Sequence, residues 1–286
     1  MCGIAIALAG AAAGCIKAPE TVLERLSDAR RLAADLLVDF TRAGDAANRA
    51  VMADTDEASV GNAREAEQAT QAVVTHTNAL GPILAGLGYS DETRLLEEFG
   101  SRFAQYRALD RSILGLAVEN TNLKAQRLSF GLAQNAADAF TSSLEAVAPL
   151  PKAKDTWQVE ALIGTAVSKV REIQVLQAPH IAEADEAAMT RMEKRMATSE
   201  AAARRALEKL ASLAPRESRP QIIAATAALD RFIGLNAQIV ALSRRNSNVR
   251  SLALSLGRKR TLTAACEDSL RALRDALAKR GFVATR

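Results

Sequence analysis

The chain has 286 residues, of which 49% are apolar but only 3% aromatic, and carries a net charge of +4. Ala and Leu supply most of the apolar content, a mixture that favours helices and leaves sheets without the β-branched and aromatic residues they need. Three cysteines (Cys2, Cys15, Cys266) give neither a disulfide framework nor a CxxC metal pair, so a sheet protein and a disulfide scaffold are both excluded and an all-α protein of one large or two ordinary domains is expected.

The first element is an apolar run, residues 1–17, MCGIAIALAGAAAGCIK. It ends at Lys17, short of the roughly 20 residues a spanning helix needs. Its length fits a signal-peptide core, and Ala12-Ala13-Gly14-Cys15 resembles a bacterial lipoprotein cleavage box, which makes Cys15 a lipidation candidate. The expected location is periplasmic, free or membrane-anchored. If the run is an ordinary N-terminal helix, the location is cytoplasmic instead.

Beyond it the chain repeats itself. ILGLAVENTNLKAQRLSFG, from Ile113, and IVALSRRNSNVRSLALSLG, from Ile239, align without a gap at an offset of 126, identical at 7 of 19 positions. The offset extends upstream to Leu84/Leu210 and downstream to Leu144/Leu270. Internal repeats define architecture, and here they define two related halves, 18–150 and 151–286, with Pro149 and Pro151 suited to a linker.

Helix-ending signals recur at matching places. Asp54 and Glu57 have the spacing of a capping box, and Gly88-Tyr89-Ser90 stops one helix and starts the next. The third signal is Asn-x-Asn itself. Asn120-Thr121-Asn122 and Asn246-Ser247-Asn248 are poor inside helices and good as caps, because their side chains bond local backbone. Read as turns, Asn120, Asn122, Asn246 and Asn248 divide each half into four helices and predict two tandem four-helix bundles. Read as helical, they predict one long four-helix bundle made of two hairpins.

The third helix of each half has a narrow seam: Leu96, Phe99, Phe103, Tyr106, Asp110, Ile113, and then Ile222, Ala225, Leu229, Phe232, Asn236, Ile239. The fourth repeats at sevens, as Leu123, Phe130, Ala137, Leu144 and as Val249, Leu256, Thr263, Leu270. Asp110 and Asn236 occupy one seam position. They either fix helix register, in which case Asp110→Leu should stabilise the protein, or floor a polar ligand pocket.

The stretch NALGPILAGLGYSDETRLLEEFGSRFAQYRALDRSILGLAVENTNLKAQRLSFG resembles the four-helix-bundle sensor domain of bacterial methyl-accepting chemotaxis receptors. The Leu-rich helix, the acidic turn, the Phe- and Tyr-bearing helix and the turn before the last helix all follow that layout. The second half keeps it with Leu229 and Phe232 in place of Phe103 and Tyr106. The resemblance implies a periplasmic signal-transduction module, present in tandem and without a signalling domain. It also implies a small anionic ligand or a receptor or envelope partner protein, and a homodimer. First-helix arginines of that family meet anions at a dimer seam, which points to Arg42 and Arg49.

Catalysis is not expected. His76 and His180 lack a Cys or second His at ligand spacing, the Glu-x-x-His pairs of metal-binding bundles are absent, and no phosphate-binding or nucleophile-elbow motif occurs. No metal or cofactor is implied. Eleven Lys and Arg from Arg244 to Arg286 stand against Glu267, Asp268 and Asp275. A basic terminal helix of that kind suits anionic lipid or envelope polymer, and a structural adaptor is the alternative function.

Overall fold

The computed structural model describes residues 21–147 and 153–280; segment 1–17 with Cys15, the Pro149–Pro151 linker and Arg286 lie outside them. The described chain is all-α. The elements are α1 (Val22–Val51), α2 (Asp56–Leu87), α3 (Ser90–Glu119), α4 (Thr121–Leu128), a π turn (Ser129–Ala133) and α5 (Gln134–Glu145). They continue as α6 (Ala153–Ala182), α7 (Glu186–Leu213), α8 (Arg219–Arg245), α9 (Ser247–Leu254), a second π turn (Ser255–Lys259) and α10 (Arg260–Lys279).

Local chemistry sets the ends. Thr21 and Glu24 form a reciprocal capping box at α1. The cap of α2 is Thr55, whose hydroxyl accepts from the Ala58 N–H, in place of the expected Asp54–Glu57 box. Gly88 ends α2 at φ +72°, a left-handed conformation that costs glycine nothing. Asp185 caps α7.

Two large hydrophobic cores form among the described residues, and their membership defines the fold. One joins Leu36, Phe40, Leu84 and Phe99 from α1–α3 to Leu270, Leu273 and Leu277 from α10. The other joins Val170, Leu210 and Phe232 from α6–α8 to Ala137, Phe140 and Leu144 from α5. Each is a four-helix bundle that borrows its fourth helix from the other half. Boundaries at 18–150 and 151–286 therefore mark the sequence repeat, whereas the packing units are α1–α3 with α9–α10 and α6–α8 with α4–α5. The reason is the link at Asn120 and Asn246. A single left-handed residue at each (φ 49° and 54°) leaves no loop long enough to turn the chain back onto its own three helices. Every leucine so delivered contributes about 1.5–3 kcal/mol by burial.

All twelve seam residues of α3 and α8 are buried as the spacing predicts. The repeat at sevens in the fourth helices is buried at Ala137, Leu144 and Leu270, half-buried at Leu123, Val249 and Thr263, and broken at one matched pair. Phe130 and Leu256 are each 68% exposed, because both lie in π turns. A π turn adds one residue to the helical round and rotates the succeeding side chains out of phase.

Candidate functional site

The Asn-x-Asn segments meet where the bundles exchange helices, and they cap each other. The Thr121 N–H donates to Ser247 Oγ at 3.1 Å, and the Ser247 N–H donates to Thr121 Oγ1 at 3.0 Å. The Asn122 and Asn248 N–H groups donate to each other's side-chain oxygens at 3.1 Å. The orphan donors at the starts of α4 and α9 are satisfied across the repeat. Neither Asn120 nor Asn246 caps its own helix, so the expected caps are present but reciprocal. Asn122 Nδ2 also donates to the Ile181 carbonyl, and Asn246 Nδ2 to that of Glu183. The junction is structural.

Asp110 and Asn236 have equivalent positions and different chemistry. Asn236 Oδ1 accepts from Gln177 Nε2 at 2.9 Å, and Gln177 Oε1 accepts from Ser129 Oγ at 2.7 Å. This neutral chain fills the interior of the second bundle. In the first bundle Asp110 faces Lys259, with Oδ1 and Nζ 2.6 Å apart and both residues 3% exposed. Neither atom makes a well-directed hydrogen bond, so the attraction is ionic. The Lys259 ammonium also lies 5.5 Å from the centre of the Tyr106 ring. Burial pushes the Asp110 carboxyl up from its ordinary range, against the opposing pull of Lys259.

Asp110 forms part of the wall of a cleft of about 370 Å³ between α2 and α3. Arg107 and Arg111 flank it on α3, one helical turn apart and on one face. Arg64, Glu67, Thr70 and Gln71 line the opposite side on α2. None of Arg64, Arg107 and Arg111 has an ion-pair or hydrogen-bond partner among the described residues, whereas Arg42 and Arg49 on α1, Arg94 on α3 and Arg127 on α4 do. With Asp110 neutralised by Lys259, three arginines share the cleft with one free carboxylate, Glu67. The arrangement attracts anions and offers planar N–H forks for a carboxylate or phosphate.

Arg42 and Arg49 lie on one face of α1 as their spacing predicts. The structure places both on Glu65 of α2, at 3.2 Å and 2.7 Å. Arg49 first, then Arg42, holds the Glu65 carboxyl below its usual range. They join α1 to α2 and do not line the arginine cleft.

Sequence reasoning found Asp110 and missed Lys259, Arg107 and Arg111. Comparing the repeats carries the signal. At the 126 offset Lys259 stands opposite Ala133, a core position, while Arg107 and Arg111 stand opposite Ile233 and Ala237.

The histidines are absorbed into packing. His180 is buried, its Nδ1 2.6 Å from Ser243 Oγ and its Nε2 2.9 Å from Glu193 Oε1. His76 Nδ1 lies 3.1 Å from Asp39. Among the described residues no cluster of His, Cys, Asp or Glu has the makings of a metal site, and no helix is long and apolar enough to cross a membrane.

Of the eleven basic residues from Arg244 onward, six have carboxylate partners: Arg244, Arg245, Lys259, Arg271, Arg274 and Arg280. Among the described residues, Arg250, Arg258, Arg260 and Lys279 remain without an ion pair. Four of these pairs, those of Arg244, Arg245, Lys259 and Arg280, join the stretch to other helices, whereas those of Arg271 and Arg274 lie within α10.

The fold and cleft thus define an all-helical, two-bundle protein with an arginine-lined opening in one bundle. No family model and no curated protein matches the chain. Among solved structures it is similar to the crystal structure of the TorS sensor domain–TorT complex in the presence of TMAO. That similarity has a TM-score of 0.39 and 13% identity, covering 90% of this chain and 100% of the other. At that level the likeness assigns neither ligand nor partner.

Proposed function

We propose that this chain is a non-enzymatic, sensor-like helical module that binds a small anion in the α2–α3 cleft. The observation that carries the reading is the set of three arginines, Arg64, Arg107 and Arg111, which lack carboxylate partners and line one cleft beside a neutralised aspartate. A binding module needs complementary charge and a preformed concavity, and the cleft offers both. The chemoreceptor-like layout of the first repeat supports a sensing role. The apolar run ending in Ala-Ala-Gly-Cys15 supports export, with the cleft facing the periplasm.

A thermal-shift and titration series with inorganic phosphate, sulfate, and mono-, di- and tricarboxylates tests it. One class should raise the melting temperature, since a ligand at 100 times its Kd adds about 2.7 kcal/mol to stability. Arg107→Gln with Arg111→Gln should remove the response while leaving the far-ultraviolet circular dichroism unchanged. A chain insensitive to every anion would instead be a structural adaptor, and the sensing reading would fall.

A further inference from the structure

The arginine cleft is polarised along its length. α2 and α3 run antiparallel away from Gly88, and their register is fixed where Ser59 Oγ lies 3.1 Å from the Ala117 carbonyl oxygen. Val60 therefore stands opposite Val118, Ala63 opposite Leu114, Glu67 opposite Arg111 and Gln71 opposite Arg107, and all of them line the cleft. The end nearest the Asn120 junction is apolar. Arg64 and Arg111 mark its boundary, and Arg107 lies beyond. From Arg111 to Val118 the helix rises about 10 Å, the length of one small molecule.

The polar groups next to the apolar end are spent. Ser59 Oγ, behind Val60, is taken up by the Ala50 and Ala117 carbonyls at 3.2 and 3.1 Å. Asp56, one turn earlier, accepts from Asn120 and Arg127 at 3.0 and 3.3 Å. Val60, Ala63, Leu114 and Val118 are half-buried and open to the cleft. A Cβ added at Gly115, which lines the same end, would meet nothing within 4 Å.

The second bundle has the opposite polarity at the matching place. Buried positions of α2 match those of α7 at a spacing of 130, as Ser59/Met189, Ala66/Met196 and Leu80/Leu210. On that spacing Val60 and Ala63 correspond to Thr190 and Glu193, and at 126 Val118 corresponds to Arg244. Arg244 donates to Thr190 Oγ1 at 2.7 Å and to Glu193 Oε1 and Oε2 at 2.7 and 2.9 Å, closing that position with an ion pair. Ile233 and Ala237 stand where the first bundle has Arg107 and Arg111. The scaffold closes without an apolar hollow at one end or unpaired guanidinium groups at the other, and the first bundle has both.

We infer that the cleft takes an amphipathic carboxylate, a single carboxylate head on an uncharged apolar body. The inference rests on the anion-binding reading above and names the class of anion. The head lies between Arg107 and Arg111, whose N–H forks fit its two oxygens, and the body lies along Leu114 and Val118 toward Val60. A compact polyanion would leave the apolar end wetted. An ammonium beside the head would meet three guanidinium groups against the one exposed carboxylate of Glu67. A cleft of about 370 Å³ has room for head and body together.

Calorimetric titration of the full chain with acetate, butanoate, hexanoate, succinate, inorganic phosphate, hexanamide and 2-aminohexanoate tests it. Each added pair of methylenes from acetate to hexanoate should tighten binding about tenfold, since one buried methylene contributes about fourfold. Hexanamide, without the charge, and 2-aminohexanoate, with an opposing one, should each bind at least about tenfold more weakly than hexanoate. Ala63→Glu with Val118→Arg installs the ion pair of the second bundle in the apolar end. In that variant hexanoate should gain no more than about twofold over acetate. If it fails to fold, Gly115→Leu, which fills the same end, decides by the same ratio. A flat series in the parent, or succinate or phosphate binding more tightly than hexanoate, overturns this inference and leaves the anion reading standing. Hexanamide or 2-aminohexanoate binding as tightly as hexanoate overturns the ligand class. A series still steep in the variant overturns the placement of the body. Binding of none of these anions overturns this inference and the anion reading together.

Discussion

At the scale of residues, the Asp110–Lys259 pair reverses what the seam pattern alone predicts. An aspartate in an apolar seam invites replacement by leucine, and Asp110→Leu looks stabilising. With Lys259 buried 2.6 Å away, that change leaves an uncompensated ammonium inside the bundle. Breaking a buried pair from one side costs about 3–5 kcal/mol, whereas replacing both partners by apolar residues is neutral or favourable by about 1–4 kcal/mol. Urea denaturation should therefore show Asp110→Leu strongly destabilised and Asp110→Leu/Lys259→Met at or above the parent. The pH dependence has a definite sign. Burial raises the folded-state pKa of Asp110, so the folded chain holds this proton more tightly than the unfolded one. That contribution is complete below the ordinary aspartate range and is lost as pH rises through the raised value. The double variant should lose this component of the acid-range slope. Asp110 was legible in the sequence because an acidic residue interrupts an apolar seam. Lys259 was not, because a lysine between Arg258 and Arg260 reads as part of a solvated basic run until Ala133 is set against it.

At the scale of elements, the Asn-x-Asn segments and the π turns separate what sequence resolves from what it conceals. Asn and Thr or Ser at a helix start announce capping chemistry, and capping is what they do. The partner lies 126 residues away, a distance that local propensity does not encode. A cap removed by alanine costs about 0.5–2 kcal/mol. Thr121→Ala and Ser247→Ala should each fall in that range by thermal or urea unfolding. Because each hydroxyl serves the other's backbone, the double variant should depart from additivity by about 0.5 kcal/mol or more. Strict additivity would mean that the two helix starts are capped independently. The π turns had no such signal. Spacing by sevens places Phe130 and Leu256 with Ala137 and Leu270, but one extra residue per turn turns them outward. Gly131 and Gly257 mark the site only in retrospect.

At the scale of the whole molecule, the exchange of fourth helices distinguishes this protein from two bundles laid in series. The all-helical class, the count of helices per repeat and the seams followed from composition and spacing. The pairing of α10 with α1–α3 did not. Repeats related at a fixed offset have the same apolar faces, so a fourth helix from either half fits either bundle. Only the lack of a reversing loop at Asn120 and Asn246 decides between them. The exchange also places Lys259, from the far end of the chain, beside Asp110 at 2.6 Å, behind the wall of the arginine cleft. The arginine cleft itself is lined by residues of the first repeat alone.

The most direct test of that account is to produce residues 18–150 and 151–286 as separate polypeptides and follow helicity and unfolding before and after mixing. In the exchanged arrangement each fragment lacks the helix that closes its three-helix core and carries a fourth helix suited to the other. Alone, each should be poorly cooperative, aggregated or self-exchanged, and equimolar mixing should restore a one-to-one complex with a single cooperative transition. If each fragment is instead a monomer that unfolds cooperatively by itself, and mixing changes nothing, the fourth helices return to their own halves and the exchanged architecture is wrong.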